Sequence, residues 1–163
     1  MQVIQTEEIW TFFIDVLDGK IQLPTNPKVD VMDALIEAVK HVKDHGHYAV
    51  LKKPFGDETL EQRLRRGTRK VALEATSYWV LTDSFKVLSK LGVEEEYILN
   101  TIKKLLETRG DCLGPLSRSI HTELMRLGTV KVKPLLFEWA RSDCDKLRYG
   151  ALSLLESVVM EEE

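Results

Sequence analysis

Cysteine is scarce in this chain. Its 163 residues hold two, Cys112 and Cys144. Two are too few for a disulfide scaffold, so a reduced, cytoplasmic setting is the expectation. Long apolar runs are missing as well. None approaches the roughly 18 residues that a membrane span needs. The opening stretch MQVIQTEEIW carries acids where a secretory leader carries basic residues, so neither a leader nor a membrane partner is expected. Charge of one sign is also lacking. Lys and Arg number 23 against 26 Asp and Glu, a net charge of -3. A generic electrostatic nucleic-acid binder is strongly basic, so net charge does not favour that class and only a local patch would serve it. Finally, there is no Gly-rich nucleotide loop, no Ser-centred elbow and no paired-carboxylate helix motif of the di-iron type. No cofactor is indicated, and these absences weigh against an enzyme.

What is present is helical periodicity. The chain is 44% hydrophobic and 30% charged, an ordinary soluble composition with raised charge, and its length suits one domain over 1–163. Thr6 is an N-cap candidate before Glu7 and Glu8, and Ile9, Trp10, Phe13, Val16 and Leu17 form an apolar stripe up to Gly19. After the proline-bearing loop KIQLPTNPK, Asn26-Pro27 opens a helix that buries Met32, Leu35, Ile36, Val39 and Val42 and stops at Gly46. HYAVLKKPFG fits a short helical turn or an irregular connection. Asp57 is the next cap candidate. The stretch ETLEQRLRRGTRKVALEATSYWVL then reads as a long helix with a break near Gly67-Thr68 and a buried second half holding Val71, Leu73, Ala75, Tyr78, Trp79 and Leu81. TDSFKVLSKLG reads as a separate short helix starting at Thr82 or Asp83.

The remainder is more regular. Tyr97, Ile98, Ile102, Leu105 and Leu106 line one helix, and Leu116, Ile120, Leu124 and Leu127 recur at steps of 4, 4 and 3 in the next. TVKVKPLLFEWARSD and CDKLRYGALSLLESVV complete the chain. VKVK alternates, but four residues before a proline are weak strand evidence. Seven or eight helices and no convincing strand make this an all-α chain.

In the last segment Leu147, Arg148, Ala151, Leu154, Leu155 and Val158 follow the order aliphatic, arginine, small, then three apolar residues. This resembles the second helix of a HEAT repeat, and VKPLLFEWARSD resembles the first. The resemblance implies that Asp143 and Arg148 support the turn between them. The segment before is a looser copy, with Ser117 where the arginine would stand and Ile120 in place of the small residue. Residues 98–159 carry the resemblance and the rest carries little; the step from Val71 to Leu116 is longer than that from Leu116 to Leu147. Two architectures therefore fit: a short HEAT-like antiparallel helical stack, or an irregular multi-helix bundle.

Two clusters could carry chemistry. Arg63, Arg65, Arg66, Arg69 and Lys70 stand together in QRLRRGTRK with no acid among them. Guanidinium groups pair bidentately with phosphate and carboxylate, so the stretch is a candidate surface for an acidic partner or anion; a solvated face is the alternative. His41, His45 and His47 fall in HVKDHGH. Two histidines four apart share a helix face and can reach one metal ion, or they simply cap a helix end. Three functions follow. The leading one is a non-enzymatic helical interaction module, a scaffold for a protein or peptide partner or for self-association. The others are a nucleic-acid or phosphate-binding protein using 63–70 and a small metal-dependent enzyme using His41 and His45.

Overall fold

The computed structural model describes residues 7–21 and 28–162. The expected caps Thr6 and Asn26-Pro27 lie outside them. In chain order the elements are α1 (Glu7–Leu17), α2 (Lys28–Asp44), α3 (Tyr48–Leu51), β1 (Pro54–Phe55), β2 (Glu58–Thr59), α4 (Leu60–Glu74), α5 (Tyr78–Leu91), α6 (Glu95–Arg109), α7 (Leu116–Leu127), α8 (Thr129–Trp139) and α9 (Asp145–Glu162). The class is all-α, as expected. No described helix is long and apolar enough to cross a membrane. The chain divides into two units, 1–74 with 83–93 and 75–82 with 94–163.

In the first unit α1 packs against α4. The expected break at Gly67 is absent, because α4 runs through it. Gly67 serves a close approach instead: a Cβ there would lie 3.1 Å from the Cβ of Leu17. Asp57 is not the cap of α4 either. Thr59 Oγ1 accepts from the Gln62 amide at 3.2 Å and Gln62 Oε1 accepts from the Thr59 amide at 2.9 Å, a reciprocal capping box. Asp57 lies in the tight turn of a minimal hairpin, β1 to β2, paired Pro54 with Thr59 and Phe55 with Glu58. Gly56, at φ +72°, supplies the left-handed backbone that this turn needs. Two-residue strands are too short to show alternation, so the pattern could not reveal them. HYAVLKKPFG is thereby one helical turn followed by the first hairpin strand.

Helix α5 also departs from expectation. The chain breaks at 75–77, not at Thr82, and Ser77 Oγ caps the new helix by accepting from the Val80 amide at 3.2 Å. Thr82 and Asp83 are interior. They read as caps because short polar side chains compete for nearby backbone groups. Here they have other partners: Thr82 bonds the Ser119 hydroxyl at 2.9 Å and Asp83 meets Asp33. Val80, Leu81, Phe85, Leu88 and Leu91 are buried, while Trp79, expected in the core, is 60% exposed.

The second unit is built around α9, which packs against α6, α7 and α8. The expected stripes hold, except that Tyr97 is half-buried. Ile98, Ile102, Leu105 and Leu106 of α6, the four leucine and isoleucine positions of α7, and Leu136, Trp139, Leu147, Ala151, Leu154, Leu155 and Val158 are all buried. VKVK is helical, the first part of α8. Where α6 meets α9 the two backbones touch. A Cβ on Gly150 would lie 2.9 Å from Leu106 Cδ2 and 3.1 Å from Gly110 Cα, and one on Gly110 would lie 1.9 Å from the Lys146 carbonyl oxygen. At the turn between α8 and α9, Arg148 Nη1 donates to the Ser142 carbonyl at 2.9 Å. The carboxylate that joins it is Asp145, one turn back on the same helix, rather than the expected Asp143.

Candidate functional site

The basic stretch lies along α4, where it meets acids from outside the run, two just before it and one beyond α1. Arg63 pairs with Asp18 beyond the end of α1, with side chains only 18% and 15% exposed. Arg65 reaches Glu61 at 3.3 Å. Arg66 grips Glu58 with both Nε, at 3.1 Å, and Nη2, at 3.4 Å. Arg69 is half-buried and Lys70 exposed. Three carboxylates in three places divide these guanidiniums rather than aim them at a common point. They tie α1, the hairpin and the first turn of α4 to one another.

The histidines gather at the end of α2. The His41 and His45 rings lie 4.2 Å apart, and His45 and His47 stack at 6.4 Å. His45 Nδ1 donates to the His41 carbonyl at 3.0 Å, which also accepts from the His45 amide at 3.1 Å. That bond leaves His45 only Nε2 for any other partner. Among the described residues no three His, Cys, Asp or Glu side chains are placed to hold a metal ion together. Cys112 is exposed and Cys144 half-buried.

Sequence reasoning missed a carboxyl pair. Asp83 is 3% exposed. Its pKa is raised from 3.8 to about 6, first by burial, then by the charge of Asp33 and by the hydrogen bond the two share; Lys86 offsets part of this. The only local signal, an Asp-Ser pair, reads equally well as a cap.

It also missed the largest feature of the surface. Eight large apolar side chains are exposed among the described residues, and six of them lie on α8 and α9: Val130, Phe137, Tyr149, Leu152, Val159 and Met160. With 3.6 residues per turn, Tyr149, Leu152, Glu156 and Val159 share the side of α9 opposite its buried row, with Met160 at their edge. Val130, Pro134 and Phe137 likewise follow one another up the outer side of α8 and, with Arg141 beyond its end, line an open depression of about 650 Å³. The sequence signal was available: α9 carries apolar residues on both sides, and the HEAT-like spacing accounts only for Leu147, Ala151, Leu154, Leu155 and Val158. Against known proteins, the chain matches no family model, no curated protein and no solved structure.

Proposed function

We propose that this chain is a non-enzymatic helical interaction module, a short HEAT-like scaffold that docks a protein partner on the outer side of α8 and α9. One observation carries the reading: six of the eight exposed large apolar side chains stand on those two helices. Apolar side chains scattered singly on a surface need no explanation, but concentrated ones mark interaction sites. A helix that is apolar all round is normally covered all round. The Arg148 bond to the Ser142 carbonyl supports the HEAT-like part, since it secures the α8–α9 turn from the second helix. The pairing of Arg63, Arg65 and Arg66 with carboxylates weighs against the anion-binding alternative.

Site-specific photocrosslinking tests this. A benzophenone amino acid at Leu152 should give adducts with protein in native extract, and the same group at Lys70 should give few. Adducts concentrated at Lys70 and removed by nuclease would favour the nucleic-acid reading instead.

A further inference from the structure

We propose a small-molecule site in the first unit, independent of α8 and α9, whose ligand is a free α-amino acid with a large apolar side chain. A recess of about 170 Å³ lies between α1, α3, β1 and the start of α4, all within that unit. Its wall is apolar, made by Trp10, Val50, Pro54, Phe55 and Leu60. Two charged residues complete the lining, Lys53 and Glu7, one of each sign. The backbone beneath is held in place. The Leu60 amide donates to the Lys53 carbonyl at 2.9 Å, and Pro54 pairs with Thr59 in the hairpin. The recess is therefore largely formed before any ligand arrives, as small-molecule sites usually are.

The polar groups choose the ligand's head. Lys53 and Glu7 are both exposed. The neighbouring Lys52 pairs with Glu61 at 3.3 Å, but among the described residues neither Lys53 nor Glu7 has an ion-pair partner. Trp10 adds a third group. It is 2% exposed, and its indole N–H is buried without an acceptor. An indole can only donate, and buried donors are nearly always paired. One head answers all three. An α-carboxylate takes the Lys53 ammonium with one oxygen and has a second for the indole N–H. An α-ammonium takes the Glu7 carboxylate. A simple carboxylic acid would set its charge against Glu7, and a simple amine would set its charge against Lys53. Volume chooses the rest. Drug-sized ligands fill about 300–1,000 Å³, so a recess of about 170 Å³ takes one large apolar side chain, of the leucine, methionine or phenylalanine kind, against Trp10 and Phe55.

The test uses the full chain. Isothermal titration calorimetry with leucine, methionine and phenylalanine should show saturable binding of at least one of them, in roughly the millimolar range or tighter. The deaminated acid and the decarboxylated amine of that compound (isocaproate and isoamylamine for leucine) should each bind at least about tenfold more weakly, because each loses a charge-assisted contact. Two variants then shift the preference. Glu7→Gln should close the gap between the amino acid and its deaminated acid. Lys53→Gln should close the gap between the amino acid and its amine. Both positions are exposed, and circular dichroism melts confirm that the variants remain folded. A purely structural role for either residue would leave the preference unmoved. No binding of any of the three amino acids at about 10 mM, or the acid and the amine binding as tightly as the amino acid, overturns the proposal. A preference that stays as it was in Glu7→Gln or in Lys53→Gln overturns it as well.

Discussion

At the scale of single residues, Asp83 is a carboxyl taken out of water. Its carboxyl holds a proton up to about pH 6 in the folded chain, whereas an exposed aspartate loses it near the ordinary value of about 3.9. Between those values the folded state binds more protons than the unfolded state, so stability falls as pH rises through that window and stays lower above it. Asp83→Asn removes the titration. Thermal melts should therefore show the variant gaining on the native chain at pH 8 and not at pH 4; equal differences at both would sink the assignment. Arg148 is the second telling residue. A charged donor to a carbonyl contributes about 1.5–3 kcal/mol, so Arg148→Ala should destabilise by more than about 1 kcal/mol in denaturant titrations. Asp145 is 87% exposed at its side chain, and exposed pairs contribute about 0–1 kcal/mol. A double-mutant cycle should thus find weak coupling between Arg148 and Asp145 and none with Asp143. The arginine was legible from the repeat-like spacing. Its carboxylate partner was not, because either acid lies within reach and only the geometry of the turn chooses between them.

At the scale of elements, steric contact at a glycine can outweigh helix propensity. Alanine in place of a helix-interior glycine ordinarily gains about 1 kcal/mol. Gly150 leaves no such room, with Leu106 Cδ2 at 2.9 Å and Gly110 Cα at 3.1 Å from a built Cβ. Overpacking of this kind costs about 1–3 kcal/mol, so Gly150→Ala should lower the melting temperature. Gly67→Ala meets only the Leu17 side chain, no nearer than 3.1 Å, and should be milder. Leu154, fully buried on the inner side of α9, should cost about 2–5 kcal/mol when cut to alanine. The stripes of α6, α7 and α9 were legible because one side of each faces a core and repeats at the helical period. The α4–α5 boundary was not. Gly67 carried the usual mark of a break while answering to α1, and the true break at 75–77 holds neither glycine nor proline. Thr82 and Asp83 resembled caps because their actual partners, Ser119 and Asp33, are distant in sequence.

At the scale of the whole molecule, a docking surface ties stability to its partner. Anything that binds only the folded form stabilises it by mass action. A protein captured through Leu152 should therefore raise the melting temperature when added back, and Leu152→Glu should remove that rise; no rise with the native chain would count against the surface. The all-α class was legible from periodicity along nearly the entire chain. The candidate surface was much less so. Its residues are leucine, valine, methionine and aromatics, the same types that fill the core, and residue type alone does not show which side of α9 is already covered. The basic stretch shows the opposite case, since charges conspicuous in a run meet carboxylates from outside it, Asp18 and Glu58 among them.

The contact between Gly110 and Gly150 has a bearing on kinship. Neither position can accept a side chain while the other backbone stays where it is, so neither can drift alone. Most of the surrounding leucines can be exchanged for other apolar residues with repacking. In a distant relative, then, much of the recognisable sequence could fade while two glycines forty residues apart (110 to 150) persisted, each inside or at the end of an apolar helix. That spacing, followed two residues before the second glycine by a turn-securing arginine, is a signature by which descendants of the same ancestor could be sought among helical chains that otherwise look unrelated.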